Sequence, residues 1–281
     1  MLGTLYLCAT PIGNLEDITF RVVRTLKEVD IIAAEDTRVS GKLLQHYNIA
    51  TPMTSYHEHN KHEKGQKLIA RLQAGDNIAL ITDAGTPGIS DPGEELVQLC
   101  YQHHITVTSL PGAAACITAL TLSGLPTRRF VFEAFLPSDK KERNWILEKL
   151  AEESRTMVLY EAPHRLCKTL ALLQEALGER AITVCRELTK HYETAFRSTF
   201  SEALAYYQQT PPKGECVIVI AGKPKQQIQE EGYQKWQTIP LAEHLEQYIS
   251  DGMDKKQAMK QVADDRGISK RDVYQQLIGR E

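Results

Sequence analysis

The sequence lacks several features that would assign it to common protein classes. No apolar run approaches the ~18 residues that a membrane-spanning helix needs, and the first residues lack the basic and long apolar segments of a signal peptide. The six cysteines are dispersed, with no Cys-x-x-Cys pair, which argues against structural zinc and favours reduced thiols. We therefore expect a soluble, cytoplasmic protein with no membrane association and no metal.

The sequence also lacks the common phosphate-binding motifs. There is no Walker A sequence and no G-x-G-x-x-G after the first predicted strand, which disfavours P-loop chemistry and Rossmann dinucleotide binding. The net charge is −3, so strong non-specific attraction to nucleic acid is not expected. A nucleic-acid substrate would have to be recognised by shape or by local basic groups.

Short apolar runs alternate with helical patterns throughout the first half of the chain. Strands are predicted at 4–9, 29–34, 77–82 and 105–109, with helices at 19–28, 61–74 and 93–104. This alternation predicts an α/β domain with a largely parallel sheet.

The second half continues this pattern and then changes. Segment 191–200 alternates like an exposed strand, so the second sheet is predicted to be partly antiparallel. Near the end, two helical patterns flank Gly267 and resemble a helix-turn-helix. The predicted division is an N-terminal α/β domain at 1–122, a second α/β domain at 123–222, a polar linker at 223–237, and a helical domain at 238–281.

Three loops rich in small residues follow predicted strands. They are TPIGN (10–14), DAGTPGISDPG (83–93) and PGAAA (111–115). Loops at the carboxyl ends of parallel strands converge on one cleft, and glycine and alanine let a ligand approach the backbone. The loops contain no lysine or arginine, which favours a ligand without phosphates.

The order of these loops and of further segments resembles a known family. With AEDTR (34–38), YHEHN (56–60), YEAPHR (160–165) and RELTK (186–190), the chain resembles the ribosomal RNA branch of the tetrapyrrole methylase superfamily. Within that branch the likeness is to the 16S rRNA cytidine 2′-O-methyltransferases, and it covers nearly the whole chain. The small-residue loops are shared across the superfamily, whereas the other four segments point to the RNA branch.

The resemblance implies a fold, a cofactor and a substrate. The fold would be two α/β domains of the tetrapyrrole methylase (class III methyltransferase) type plus a small helical C-terminal domain, in a homodimer. S-adenosylmethionine would bind in the cleft, and the acceptor would be a cytidine in the decoding region of 16S rRNA in the 30S subunit. The cofactor-binding residues implied are Pro11, Asp83, Ala84, Gly85, Ile89, Ser90, Ala113, Ala114, Tyr160, Ala162 and Leu188.

The residue that activates the acceptor stays open at this stage. A ribose hydroxyl is a weak nucleophile, so a nearby base or cation would help. The catalytic candidates are Asp36, Arg38, His57, Glu133 and Lys190, with Glu161 and Glu187 also in the polar segments. The candidates for RNA contact are His57, His59, Arg128, Arg129, Lys140, Lys141 and Arg165.

Two other functions are compatible with the same loops. One is methylation of a small tetrapyrrole, against which the AEDTR and YHEHN segments and the C-terminal domain argue. The other is a non-catalytic protein that binds the cofactor and assists ribosome assembly. A methyl-transfer assay on ribosomal subunits separates that protein from an enzyme.

Overall fold

Two five-stranded sheets form the first part of the chain. The computed structural model describes residues 1–278, which divide into a unit of residues 1–151 and 155–221 and a second unit made of 152–154 and the chain from Gly222 onward. The first unit contains both sheets, and the second is helical. Within the described residues, no helix has the length and apolar character needed to cross a membrane.

The first sheet is entirely parallel, with strand order β3-β2-β4-β1-β5. Its strands are β1 (Thr4–Cys8), β2 (Ile31–Ala34), β3 (Met53–Ser55), β4 (Ile78–Ile81) and β5 (Thr106–Leu110). Its helices are α1 (Phe20–Glu28), α2 (Thr37–His46), α3 (Lys61–Ala74), α4 (Gly93–Gln102) and α5 (Ala115–Ser123). The helix α2 and the short strand β3 were not predicted from the sequence.

Helices cover both faces of this sheet, which explains why its central strands β2 and β4 are apolar and buried throughout. On one face Leu5 and Ile78 pack with Leu72 of α3 and Leu96 of α4. On the other face, the core includes Ile32, Ile81, Val22, Leu26 and Leu44. The helix α1 begins where the Thr19 side chain accepts a hydrogen bond from the Val22 N–H, a standard N-terminal cap.

The second sheet is mixed, with strand order β6-β7-β10-β8-β9. Its strands are β6 (Phe130–Ala134), β7 (Thr156–Glu161), β8 (Ala181–Arg186), β9 (Thr194–Thr199) and β10 (Cys216–Ile220), and its helices are α6 (Lys140–Ala151), α7 (Leu166–Leu177) and α8 (Phe200–Gln209). The strand β10 runs antiparallel to both β7 and β8, and β9 forms an antiparallel edge. The prediction of an α/β fold with a partly antiparallel second sheet is confirmed.

The helical unit contains four helices within the described residues, whereas two were predicted from the sequence, one on each side of Gly267. Its helices are α9 (Lys225–Gln237), α10 (Leu241–Ser250), α11 (Lys255–Arg266) and α12 (Lys270–Ile278). The segment predicted as a polar linker at 223–237 is helical over most of its length. Its Lys, Gln and Glu residues favour helix formation, but they show no apolar stripe that would have revealed it. Residues 279–281 of the predicted C-terminal domain lie outside the described residues.

A histidine lies at the centre of the helical unit. His244 is fully buried, and its ring stacks on Trp236 with centroids 3.7 Å apart. Arg266 Nε donates to His244 Nδ1 at 3.1 Å, and Asp265 Oδ2 lies 3.3 Å from His244 Nε2. Burial and the adjacent guanidinium lower the pKa of His244, so the neutral ring is favoured.

Candidate functional site

A cleft of about 410 Å³ within the first unit is lined by strand ends and loops of both sheets. Its walls come from the loops after β1, β4 and β5, from the ends of β7 and β8, and from the start of β10. The lining residues are Ile12, Glu35, Thr82, Asp83, Ala84, Gly85, Thr86, Ile89, Ser90, Asp91, Ala114, Ala115, Phe135, Tyr160, Glu161, Ala162, Pro163, Glu187, Leu188, Lys190, Glu215, Cys216 and Val217.

Backbone hydrogen bonds fix the loop that follows β4. The N–H groups of Thr10 and Gly85 each donate to the other residue's carbonyl, at 2.9 and 3.0 Å. Gly85 has φ +87°, a backbone conformation that glycine adopts without strain. The Asp91 carboxylate accepts from the N–H groups of Gly88 and Gly93 at 2.8 Å each, which closes the loop on itself. The wall next to the cleft is thus rigid without large side chains.

Carboxylates give this wall a negative charge. Glu35 Oε2 accepts from Thr82 Oγ1 at 2.6 Å, and Asp83 Oδ1 accepts from the Asp36 N–H at 3.0 Å. Burial raises the pKa of Asp83, and the neighbouring charges of Glu35 and Asp36 raise it further. A cation bound in the cleft would relieve this repulsion, so the wall favours a positively charged ligand.

The opposite wall is aromatic and is tied to the first turn of α5. The helix α5 has no side-chain cap from its own N-cap residue, and Tyr160 Oη accepts from the Cys116 N–H at 3.1 Å. The Tyr160 ring contacts Phe132 and Phe135 edge-on, with centroids 4.9 and 5.6 Å apart. Burial raises the pKa of Tyr160, which keeps its hydroxyl protonated. This wall can cover an apolar or aromatic part of a ligand.

A buried carboxylate marks the end of β7. The Glu161 side chain is fully buried and accepts hydrogen bonds from Thr169 Oγ1 at 2.5 Å and from the Ala162 N–H at 2.8 Å. Arg165 Nε lies 3.3 Å from its Oε1. These partners hold Glu161 in place and fix the YEAPHR turn beside the cleft.

Comparison with known proteins identifies the family. Residues 4–204 match the family described as Tetrapyrrole (Corrin/Porphyrin) Methylases. The chain belongs to the tetrapyrrole methylase family. Proteins named Ribosomal RNA small subunit methyltransferase I are similar to it, at 51% identity in Synechocystis sp. (98% of this chain, 97% of the relative) and 49% in Bacillus subtilis (97% and 93%).

Solved structures of the tetrapyrrole methylase fold are more distant in sequence. A uroporphyrin-III C-methyl transferase from Thermus thermophilus complexed with S-adenosylhomocysteine has TM-score 0.56 at 19% identity, covering 78% of this chain and 97% of its own. A diphthine synthase has TM-score 0.62 at 12% identity, covering 78% and 90%. These likenesses show the fold alone.

Nine of the eleven residues predicted to bind the cofactor line the cleft of this tetrapyrrole methylase family member. The other two, Pro11 and Ala113, lie next to it in the chain, beside Ile12 and Ala114, and the Ala113 carbonyl accepts from Thr86 Oγ1 at 2.9 Å. The structure thus brings the predicted set together, and the role of each residue in cofactor binding stays a prediction.

The catalytic candidates do not converge on one point. Of the five main candidates Lys190 alone lines the cleft, and the further candidates Glu161 and Glu187 line it as well. Arg38 forms two hydrogen bonds with Asp36, of 3.1 and 2.7 Å, and these bonds lower the pKa of Asp36. Asp36 reaches the cleft indirectly, because its backbone N–H donates to Asp83. Glu133 lies half-buried in β6, where burial raises its pKa.

His57 and His59 lie in the loop between β3 and α3. Asn60 Nδ2 donates to His57 Nε2 at 3.1 Å, and Asn60 Oδ1 accepts from the His57 N–H at 2.8 Å. The two histidine rings meet edge-on at 6.0 Å. Neither residue lines the cleft, although the loop leaves the carboxyl end of β3, as the cleft loops leave their own strands.

The basic pairs lie at opposite ends of β6. Lys140 and Lys141 begin α6, five residues after Phe135, which lines the cleft. Arg128 and Arg129 precede Phe130, so they are one strand length, roughly 17 Å, from the cleft end. Of the residues predicted to contact RNA, Arg165 contacts Glu161 beside the cleft, and the lysine pair follows β6 at the end where Phe135 lines the cleft.

Several cleft residues were not predicted from the sequence. Glu35 precedes the predicted Asp36 within AEDTR, so a sequence signal existed for it, and Phe135 follows β6 as a half-exposed aromatic residue. Glu215, Cys216 and Val217 lie at the beginning of a strand, where no site residue was predicted from the sequence. Among residues 1–278, no group of three or more His, Cys, Asp or Glu residues is arranged to hold a metal ion.

Proposed function

We propose that this protein is an S-adenosylmethionine-dependent methyltransferase of small-subunit ribosomal RNA. The acceptor is the 2′-hydroxyl of a cytidine in the decoding region of 16S rRNA, within the 30S subunit. One observation carries the proposal: proteins named Ribosomal RNA small subunit methyltransferase I share about half of their residues with this chain over at least 93% of both lengths. The cytidine, the 2′-oxygen and the decoding region rest on the resemblance of the AEDTR, YHEHN, YEAPHR and RELTK segments.

The chemistry of the cleft fits the cofactor. S-adenosylmethionine carries a sulfonium and an ammonium. Six acidic residues line the cleft against one lysine, and even with the Glu161 carboxylate buried beside Arg165 this imbalance suits a cation and repels a polyphosphate. The cleft volume of about 410 Å³ is in the range of small-molecule sites. The small residues of the loops after β4 and β5 leave backbone groups accessible to a ligand.

The bound cofactor would supply a methyl group on a positively charged sulfur. The chain's own residues would then provide alignment, charge and exclusion of water. Asp83 and Glu35 give the cleft a negative potential. Leu188 and Phe135 are apolar lining residues that can cover the ligand, while Tyr160 fixes the first turn of α5.

We extend the proposal to a cytoplasmic homodimer. The support is the family resemblance, and sedimentation of the purified protein tests the oligomeric state.

Transfer of an isotope-labelled methyl group tests the function. The acceptors are 30S subunits from a strain lacking this gene, deproteinised 16S rRNA, and uroporphyrinogen III. We expect label in 30S subunits, much less in free RNA because the chain's net charge of −3 gives little non-specific attraction, and none in the tetrapyrrole. Nuclease digestion and mass spectrometry then locate the methyl group. Label in the tetrapyrrole alone, or cofactor binding without transfer, contradicts the proposal.

A further inference from the structure

The charges around the cleft are unevenly distributed. Its lining residues include the acidic Glu35, Asp83, Asp91, Glu161, Glu187 and Glu215. The Glu161 carboxylate is itself buried beside Arg165, so the other five carry the exposed charge. Among the lining residues in the described part of the chain, Lys190 is the one cation. A negatively charged group entering this cleft therefore meets repulsion everywhere except near Lys190.

The loop that contains Lys190 has an unusual backbone. Glu187 and Thr189 have φ angles of +51° and +66°, the left-handed region that non-glycine residues rarely adopt. The Lys190 N–H donates to the Glu187 carbonyl at 3.0 Å, and the Thr189 N–H donates to Glu193 Oε2 at 2.6 Å. Residues held in such conformations by surrounding structure concentrate at functional sites.

Two glycines from other loops pack against this loop. A Cβ atom on Gly13 would lie 2.5 Å from Lys190 Cγ and 2.8 Å from the Leu188 carbonyl oxygen. A Cβ atom on Gly214 would lie 1.8 Å from Glu187 Oε1. The position of the Lys190 loop therefore depends on two other segments. One is the loop after β1, which contains Gly13, and the other is the segment before β10, which contains Gly214.

The Lys190 ammonium is held but remains accessible. Its Nζ donates to Glu187 Oε1 at 3.0 Å, and its side chain is 37% exposed, against 21% for Glu187. An ammonium has three N–H donors, and this bond uses one of them. Lys190 thus faces both the cleft and the solvent from which a large acceptor would arrive.

We propose that Lys190 binds the RNA phosphate adjoining the acceptor ribose, and that Glu187 is the positioning residue for its ammonium. The inference rests on the function proposed above. A phosphate at Lys190 would direct the neighbouring ribose toward the cleft, because the acidic lining offers the phosphate no other site. Lys190 is then specific for the acceptor and is not part of the cofactor site.

Binding measurements without turnover test this assignment. Lys190→Ala, Lys190→Arg and wild type are titrated with 30S subunits from a strain lacking this gene at several salt concentrations, and separately with S-adenosylmethionine by calorimetry. Lys27→Ala is the matched control, because Lys27 is an exposed lysine in the last turn of α1, away from the cleft lining. Circular dichroism confirms that each variant is folded.

For Lys190→Ala we expect roughly tenfold weaker binding of 30S subunits, and a slope of log K against log salt concentration that is smaller by about 1. Cofactor affinity should stay within about twofold of wild type. Lys190→Arg should restore most of the binding, and Lys27→Ala should match wild type.

Two results would overturn the assignment. One is unchanged affinity and slope for 30S subunits in Lys190→Ala. The other is lost cofactor binding with normal subunit binding, which would assign Lys190 to the cofactor's carboxylate. Failure of the proposed function would be visible separately, since wild type itself would then not methylate 30S subunits, whether or not it binds the cofactor.

Discussion

The hydroxyl oxygen of Tyr160 accepts a hydrogen bond from the backbone N–H of Cys116 at 3.1 Å. This bond caps the first turn of α5 with a side chain from the second sheet, across a separation of 44 residues in the chain. It joins the strand that ends at the YEAPHR segment to the helix that follows the PGAAA loop. This neutral hydrogen bond is therefore one direct link between α5 and the aromatic wall of the cleft.

Tyr160→Phe removes this acceptor and keeps the aromatic contacts. We expect the free energy of unfolding to fall by about 1–2 kcal/mol, because the Cys116 N–H loses its partner in a partly buried place. Cofactor affinity should fall as well, since α5 borders the cleft. Urea denaturation and calorimetry measure the two effects. Tyr206→Phe, at a half-exposed tyrosine on α8, is the matched control and should leave both unchanged.

Gly13→Ala tests the contact between the first loop and Lys190. The added Cβ atom would lie 2.5 Å from Lys190 Cγ, so one of the two loops must move. We expect a folded protein with roughly tenfold weaker cofactor binding, since Ile12 and Leu188 line the cleft on either side of this contact. Gly41→Ala is the control, because its Cβ would approach only Met53 Cε, at 3.9 Å. That helix substitution should be neutral or slightly stabilising. Wild-type affinity in Gly13→Ala would mean that the loops separate without affecting the cleft.

The two basic pairs around β6 should differ in their effect on the acceptor. Replacing Lys140 and Lys141 by alanine should raise KM for 30S subunits roughly tenfold, because these lysines begin α6 at the cleft end of the sheet. Replacing Arg128 and Arg129 should change KM by less than about twofold. Cofactor affinity should be unchanged in both variants. A larger effect from the arginine pair would place the RNA at the other end of the second sheet.

The stability of the helical unit should depend on pH through His244. Because the pKa of His244 is lower in the folded protein than in the unfolded chain, the unfolded chain takes up a proton first as the pH falls. The stabilisation is complete above an unfolded pKa of about 6.5 and declines below it. Trp236 stacks on His244, so its fluorescence in a Trp145→Phe background reports unfolding of this unit by urea.

We expect a lower urea midpoint at pH 5.5 than at pH 7.5, and a smaller difference in His244→Gln. An equal difference in His244→Gln would assign the effect to another titrating group.

The cleft wall formed by the loops after the strands of the first, parallel sheet could be predicted from the sequence. Asp83, Gly85 and Ala114 follow strands of an all-parallel sheet, where the rule that ligand loops lie at carboxyl ends of strands applies. Their small side chains and turn-forming neighbours were visible without any tertiary information. Contacts such as the one between Tyr160 and Cys116 join distant segments, and no local pattern indicates them.

The part of the cleft formed by the start of the antiparallel strand β10 was not predicted from the sequence. Glu215 and Val217 reach the cleft at the start of β10, because β10 runs opposite to β7 and β8 and its beginning lies beside their ends. Strand direction depends on pairing between distant segments, which periodicity does not reveal. Helix α9 was missed for a different reason, since its polar residues favour a helix without marking a buried face.

The order of the first sheet constrains how the chain can fold during synthesis. The strand β1 lies between β4 and β5, so its first partner, Ile78–Ile81, is translated about seventy residues later. Until β4 has left the ribosomal tunnel, the apolar residues Leu5 and Cys8 have no strand to pair with. Such non-local pairing slows folding, and a newly made N-terminal segment must wait unpaired for its neighbours. Premature termination before Ile81 would thus release a chain that cannot form the centre of its first sheet.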